Sequence, residues 1–401
     1  MGLPIVALKD LCADFKKDIV DGPFGSNLKR SHFTEEGIPV LKIQNIKPFK
    51  IEKKKMDFLT LDKFSELERH SFRQGDIVMT KLGSPLGVSA IVDDIQEGVI
   101  VADLVRIRAS KIDTRYLCYH LNSPVTQKHI NSFQKGATRP RVKISVAREL
   151  PIYTPSESEQ KRIVQILDKA FADIDQARVN TEQNLQNARE LFDSYLQQVF
   201  SERGEGWKKF VFSDLCEITS KLVDPRESEF LDYPHIGAAN ITSVTGELTE
   251  IKTAREEQLK SGKFVFDESM VLYSKIRPYL MKTCRPNFVG LCSADIYPLV
   301  PNKELITRDF LFYLLTTQHF TDYAISGSSR AGMPKVNRTH LFNYTCHIPS
   351  VEEQDMLVEK LNLMMEKSEE LQGIYQSKLA ALDELKQSLL QQAFTGQLAQ
   401  G

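Results

Sequence analysis

The feature that most constrains this chain is that it repeats itself at a displacement of 194 residues. ARELFDSYLQQVFS at 188–201 lies on LDELKQSLLQQAFT at 382–395, so that Glu190, Leu191, Ser194, Leu196, Gln197, Gln198 and Phe200 fall on Glu384, Leu385, Ser388, Leu390, Gln391, Gln392 and Phe394. The same displacement sets Pro155, Ser156, Glu159 and Gln160 on Pro349, Ser350, Glu353 and Gln354, Tyr119 on Tyr313 and Lys81 on Lys275, with Asp103 falling near Asp295. Small insertions shift the register elsewhere, where IPVLKIQNI at 38–46 lies against YPHIGAANI at 233–241. Two copies joined head to tail are the simplest account. The variable blocks are then 1–154 and 204–348, and the similar segments are 155–203 and 349–401.

The similar segments read as long helices. Positions 163, 167, 170, 174, 177, 181, 184, 188, 191, 195 and 198 are apolar in eight of eleven cases, with Thr181, Asn184 and Gln198 the exceptions. Adding 194 again gives eight of eleven, so both copies carry a heptad seam. Each starts after a proline with a Ser-x-x-Glu pattern that resembles a capping box, and each ends near glycine. A helix of about 44 residues would be about 65 Å long. Such a helix cannot bury its seam alone, and the economical partner is the other copy. An antiparallel pair would place the two blocks at opposite ends of a rod.

The blocks read as mixed α and β, giving an α+β chain with an internal pseudo-two-fold repeat. GIPVLKIQNI, GDIVMTKL, SAIVDDI, VIVADLVRIR, ESMVLYSKI and SADIYPLV are strand-like, while TRYLCYHLNS and RDFLFYLLTT have helical apolar spacing. SERGEGWKKF at 201–210 has the glycine and charge of a linker.

With 401 residues, 41% hydrophobic and 26% charged, the chain is ordinary globular material with room for more than one core. No apolar run approaches the roughly 20 residues of a bilayer span, and Asp10 interrupts any signal-type stretch, so a soluble, cytoplasmic protein is expected. Six scattered cysteines without a CxxC pair suggest reduced, buried thiols, with no zinc site and no disulfide framework. The net charge of −1 divides unevenly: +7 over 1–155, −3 over 156–203, zero over 204–347 and −5 over 348–401. Such asymmetry is expected where some parts meet a polyanion and others face water or protein.

There is no GxxxxGK[ST], HExxH, GxSxG or strand-linked GxGxxG, and DGPFGSN has the wrong glycine spacing for a phosphate loop. An Asn/Asp-Pro-Pro-aromatic sequence, of the kind that holds a flipped base in amino-methyltransferases, is also missing. What remains are basic, polar segments at comparable places in both blocks. GATRPRVKIS at 136–145 carries Arg139, Arg141 and Lys143; SGSSRAGMPKVNR at 326–338 carries Arg330, Lys335, Asn337 and Arg338. TKLGSP (Lys81, Ser84) pairs with SKIRPY (Lys275, Arg277, Tyr279), and KIQN (Lys42, Gln44, Asn45) with GAAN (Asn240), although Asn capping competes as an account of the last pair. Arg forks to guanine, Asn to adenine, and Lys or Ser reaches phosphate, so these residues are the candidate DNA contacts. Catalytic and metal-binding residues are expected to be absent.

The two unlike blocks, each followed by a similar helix with PSESEQKRIV at 155–164 and SLLQQAFTGQL at 388–398, resemble the specificity subunit of type I restriction-modification systems over essentially the full length. The resemblance implies a non-catalytic protein with two target-recognition domains, each reading half of a split double-stranded DNA site. It implies a coiled coil that sets the gap and docks two methyltransferase subunits, and partnership with restriction-translocase subunits. S-adenosylmethionine, ATP and Mg would then sit on the partners and no cofactor on this chain. The alternative is a coiled-coil scaffold that assembles a complex without reading sequence, and a hidden enzyme comes third.

Overall fold

The structure, a computed structural model, describes residues 4–133, 140–202, 204–328 and 334–398. The chain forms two compact units, one taking the chain to Thr181 and again from Ser377, the other running from Glu182 to Gln376. Each unit therefore holds one mixed block and one half of each long helix, a division that the order along the chain does not reveal.

In the first unit two four-stranded sheets carry the block. One has the order 57–59, 38–41, 97–100, 71–73, and the other 19–21, 104–107, 77–80, 89–91. VIVADLVRIR, expected as one run, is two strands in different sheets, because Leu104 N–H turns back to the Val101 carbonyl at 3.0 Å. Strand 5–7 pairs antiparallel with 151–153 and closes the block on itself. Thr114–Leu121 is helical where the apolar spacing predicts it, started by Asp113, whose carboxylate accepts Tyr116 N–H at 2.8 Å.

The second unit repeats the plan with different side chains. A four-stranded sheet runs 216–217, 296–301, 271–274, 283–284, and a five-stranded sheet 222–223, 263–266, 290–293, 234–236, 252–253. Strand 208–211 pairs with 345–348, as 5–7 does with 151–153. A parallel pairing lies inside one sheet of each unit, 38–41 with 97–100 and 234–236 with 290–293. Helix Arg308–Leu315 is capped by Thr307 and buries Phe310, Phe312 and Tyr313 in the main core.

The similar segments are helices Glu157–Ser201 and Val351–Phe394. They are antiparallel within each unit. In the first, Ile163, Leu167, Phe171 and Ile174 share a core with Leu390, Ala393 and Phe394, and Asp175 pairs with Lys386 at 3.1 Å. In the second, Phe192 and Leu196 pack with Val358 and Leu361, and the Ser368 hydroxyl donates to the Ala188 carbonyl at 2.6 Å. The repeat extends to the contacts that moor helix to block. The Gln160 side chain accepts Asp113 N–H and donates to the Pro155 carbonyl; Gln354 accepts Thr307 N–H and donates to the Pro349 carbonyl. Tyr119 donates to Asp168, and Tyr313 to Asn362, both acceptors again 194 apart.

One row of the expected seam is displaced in part. Positions 174, 181, 188 and 195, and their copies 368, 375, 382 and 389, are buried or half-buried as expected, as are 170, 177, 364, 371 and 392 of the alternate row, but 184, 191, 198, 378 and 385 are exposed, and the residue after each of 184, 191, 198, 378 and 385 is buried or half-buried instead. Leu191 and Leu385, placed on the seam by the spacing, are 45% and 46% exposed. Leu191 and Phe192 are both apolar, so the alternation can be threaded through either, and the larger ring takes the core; at 385 and 386 the half-buried residue is Lys386, whose ammonium lies over the Phe171 ring.

Candidate nucleic-acid interface

Two of the three basic pairs prove to be parts of one structure. In the first block, the chain leaving strand 77–80 lies beside 140–142: Val142 N–H donates to the Lys81 carbonyl at 3.0 Å, Gly83 N–H to the Pro140 carbonyl at 3.0 Å, and Leu82 faces Arg141. In the second, Val336 N–H donates to the Lys275 carbonyl at 2.8 Å, Arg277 N–H to the Pro334 carbonyl at 2.9 Å, and Ile276 faces Lys335. Every partner is displaced by 194 residues. The third side of this small ladder also repeats, with Lys81 N–H on the Asp103 carbonyl and Lys275 N–H on the Asp295 carbonyl.

Carboxylates hold several of the cations. Lys81, 7% exposed, is ion-paired to Asp21 at 2.8 Å, and Arg141 stands 3.9 Å from Asp103. Asp295 takes Lys335 at 2.9 Å and Lys275 at 3.7 Å on the same oxygen, while Lys275 also donates to the Ala294 carbonyl. Ser84, Lys143, Arg277 and Tyr279 are exposed. Among the described residues, Lys143 and Arg277 have no side-chain partner, so their charges are available to a ligand. Asn337, at the position equivalent to Lys143, accepts His340 N–H at 2.8 Å and starts a short helix; Arg338 lies over the Phe342 ring. Arg139 and Arg330 lie outside the described residues.

The third pair is a structural clip, as Asn capping would have it. Asn45 accepts Lys42 N–H at 3.0 Å and donates to the Glu52 and Lys54 carbonyls; Asn240 accepts Gly237 N–H at 2.8 Å and donates to the Thr249 and Glu250 carbonyls. With both amide hydrogens used and Asn45 fully buried, neither side chain is presented to a base. Lys42 is ion-paired to Asp57, and Gln44, exposed, donates to the Lys55 carbonyl at 3.3 Å. Reading by residue type missed the carboxylates Asp21, Asp103 and Asp295. The near match of Asp103 with Asp295 was the available signal.

All six cysteines are buried and unpaired. Burial pushes the Cys12 thiol up to about 11 and those of Cys118 and Cys346 to about 12, which keeps them protonated and unreactive near neutrality. No group of His, Cys, Asp and Glu among the described residues is arranged to hold a metal ion, and no helix among them is long and apolar enough to cross a membrane.

A profile of the type I restriction modification DNA specificity domain matches residues 68–185 and 204–376. The chain is 29% identical over 325 residues to the type I restriction enzyme EcoDI specificity subunit of Escherichia coli, covering 72% of this chain and 70% of that one. It is 20% identical over 392 residues to the StySPI specificity subunit of Salmonella potsdam, covering 92% and 84%. In fold it is similar to a chain from a structure describing complex assembly and conformational transition of the type I R-M system, with TM-score 0.76, 18% identity and 98% and 99% of the two chains covered. The HsdS subunit of Thermoanaerobacter tengcongensis aligns with TM-score 0.61 at 19% identity over 98% and 97%. With both matched segments carrying the repeated ladder and the family profile spanning well over half its length, this chain belongs to the type I restriction-modification specificity subunits.

Proposed function

We propose that the chain reads a split DNA site through the two ladders, with Lys143, Arg141 and Ser84 contacting the first half-site, Lys81 supporting them from its buried pair with Asp21, and Arg277, Tyr279, Lys275, Lys335 and Arg338 contacting the second. Arg139 and Arg330 belong to the same proposal through their place in the two basic loops. The observation that carries it is that blocks of unlike sequence build the same hydrogen-bonded ladder at equivalent positions and arm it with different cations. A common frame with exchangeable side chains is what two readers of different half-sites require. Phosphate contacts by Lys fix register, while the forked Arg groups supply discrimination.

On this reading the paired helices set the gap between half-sites and dock two methyltransferase subunits. S-adenosylmethionine is held by those subunits, and ATP and Mg by restriction subunits, while this chain contributes no reacting group. The acidic helices suit basic protein surfaces and repel DNA. The decisive experiment is a map of methylated adenine in cells with and without this gene. Loss of one split motif of constant gap is expected; an unchanged map would return the scaffold reading to the front.

A further inference from the structure

The glycines of DGPFGSN have the wrong spacing for a phosphate loop, yet the segment 21–32 presents the most exposed ring of the first block. Phe24 is 64% exposed. The backbone behind it is held in place: Gly22 is pressed against the backbone of Val101, where a Cβ would come within 2.2 Å of the carbonyl carbon, and its N–H donates to the Leu104 carbonyl. Gly25 follows in the left-handed region at φ +51. Asp21, just before, is the carboxylate that holds Lys81, and the Lys81 ammonium stands 5.1 Å from the centre of the Phe24 ring. Since the Lys81 carbonyl is also an acceptor in the ladder, the ring stands beside the surface that carries Arg141 and Lys143.

The surroundings decide what such a ring meets. Lys29 and Arg30 are exposed in the same loop, and after burial itself the charge of Arg30 is what lowers the pKa of Lys42. A flat apolar ring among cations matches duplex DNA, which offers phosphates to the cations and base faces or thymine methyls to the ring. The second block has its own exposed ring, Tyr279, in the turn that carries Arg277, although the two rings come from different segments. A bulky exposed aromatic on a firmly backed loop loses burial energy unless a partner covers it.

We propose that Phe24 contacts bases of the first half-site, through a base face or a thymine methyl, and so determines specificity there. This rests on the DNA-reading assignment above and deepens it. The test uses the assembled methyltransferase on duplexes bearing the mapped split site. Phe24→Ala should lower methylation of the cognate site by 10- to 100-fold while leaving the salt dependence of binding and the choice of second half-site unchanged, and Phe24→Trp should keep activity within a few-fold. In one arm 2-aminopurine replaces bases of the first half-site, and brightening with the parent but not with Phe24→Ala marks insertion between bases. In the other, uracil replaces thymine, and a loss for the parent that Phe24→Ala does not add to marks a methyl contact. Either result supports the proposal. Equal methylation by Phe24→Ala and the parent overturns it, as does a loss shared by all sequences with a flatter salt dependence, which marks a phosphate-side role. Should Phe24→Ala not fold, Phe24→Leu gives the same comparison. A parent enzyme with no sequence preference would instead overturn the DNA-reading assignment.

Discussion

Gly83 and Arg277 occupy equivalent positions in the two ladders, and both are left-handed, at φ +105 and +50. Glycine adopts this region freely, whereas an arginine there is strained by about 1–2 kcal/mol. An exposed, unpaired arginine kept in such a conformation is conspicuous beside a proposed DNA surface. Arg277→Gly should therefore leave the second unit as stable as the parent or roughly 0.5–1 kcal/mol more stable, the strain relieved exceeding the added chain entropy, while weakening recognition of the second half-site alone. Thermal unfolding and half-site methylation measured on the same variant separate the two effects. His120 illustrates a residue with a purely structural chemistry. Its Nε2 accepts Tyr153 N–H at 2.9 Å, its ring contacts Phe394, and burial lowers its pKa from 6.5 to about 4. Below 6.5 the unfolded chain takes up a proton that the folded chain refuses, so this stability is complete above pH 6.5 and is lost as pH falls towards 4, by about 3 kcal/mol in all. Unfolding of the first unit followed from pH 7 to 4 should show that loss, and His120→Gln should flatten it. Neither behaviour is legible in the sequence, because left-handed backbone and burial are properties of the folded surroundings.

At the scale of elements, the long helices and the helices 114–121 and 308–315 were legible because their apolar periodicity is sustained. The seam's second row was legible only in part, since at 191 and 192 two adjacent apolar residues satisfy the spacing equally well, and at 385 and 386 the half-buried residue is a lysine that residue type does not flag. The corrected row makes a sharp contrast between neighbours. Phe192→Ala should cost about 3–5 kcal/mol, the range for emptying a buried aromatic site, whereas Leu191→Ala should change stability by no more than about 0.5 kcal/mol. Denaturant titration of both variants checks it. If the methyltransferase subunits dock on the outer faces of the helices, Leu191→Ala and Leu385→Ala should nevertheless weaken assembly. The basic segments were also legible as elements, but the hydrogen bonds joining 81–83 to 140–142 and 275–277 to 334–336 were not, because they connect residues some 60 positions apart.

For the whole molecule, duplication was the most legible property of all, and it carried the two blocks, the two helices and the family with it. The proposed gap-setting role of the helices belongs at this scale. Inserting four residues near Asn184 should lengthen the tolerated gap without altering either half-site, because half-sites on a duplex must keep a rotational phase of about 10.5 bp per turn. A methylation map of the insertion variant with an unchanged gap would remove the helices from that role.

The first unit closes its core with Leu390, Ala393 and Phe394, whereas the second, from Glu182 to Gln376, is one uninterrupted stretch of chain. Order of synthesis and order of completion are therefore reversed. The block made first leaves the ribosome with Ile163, Leu167 and Phe171 still uncovered, and they wait while the whole second unit is translated. A chain that stopped before Leu390 would hold every residue of the first block and still lack that block's support, so a stretch translated some 200 residues later decides whether the first half can be used.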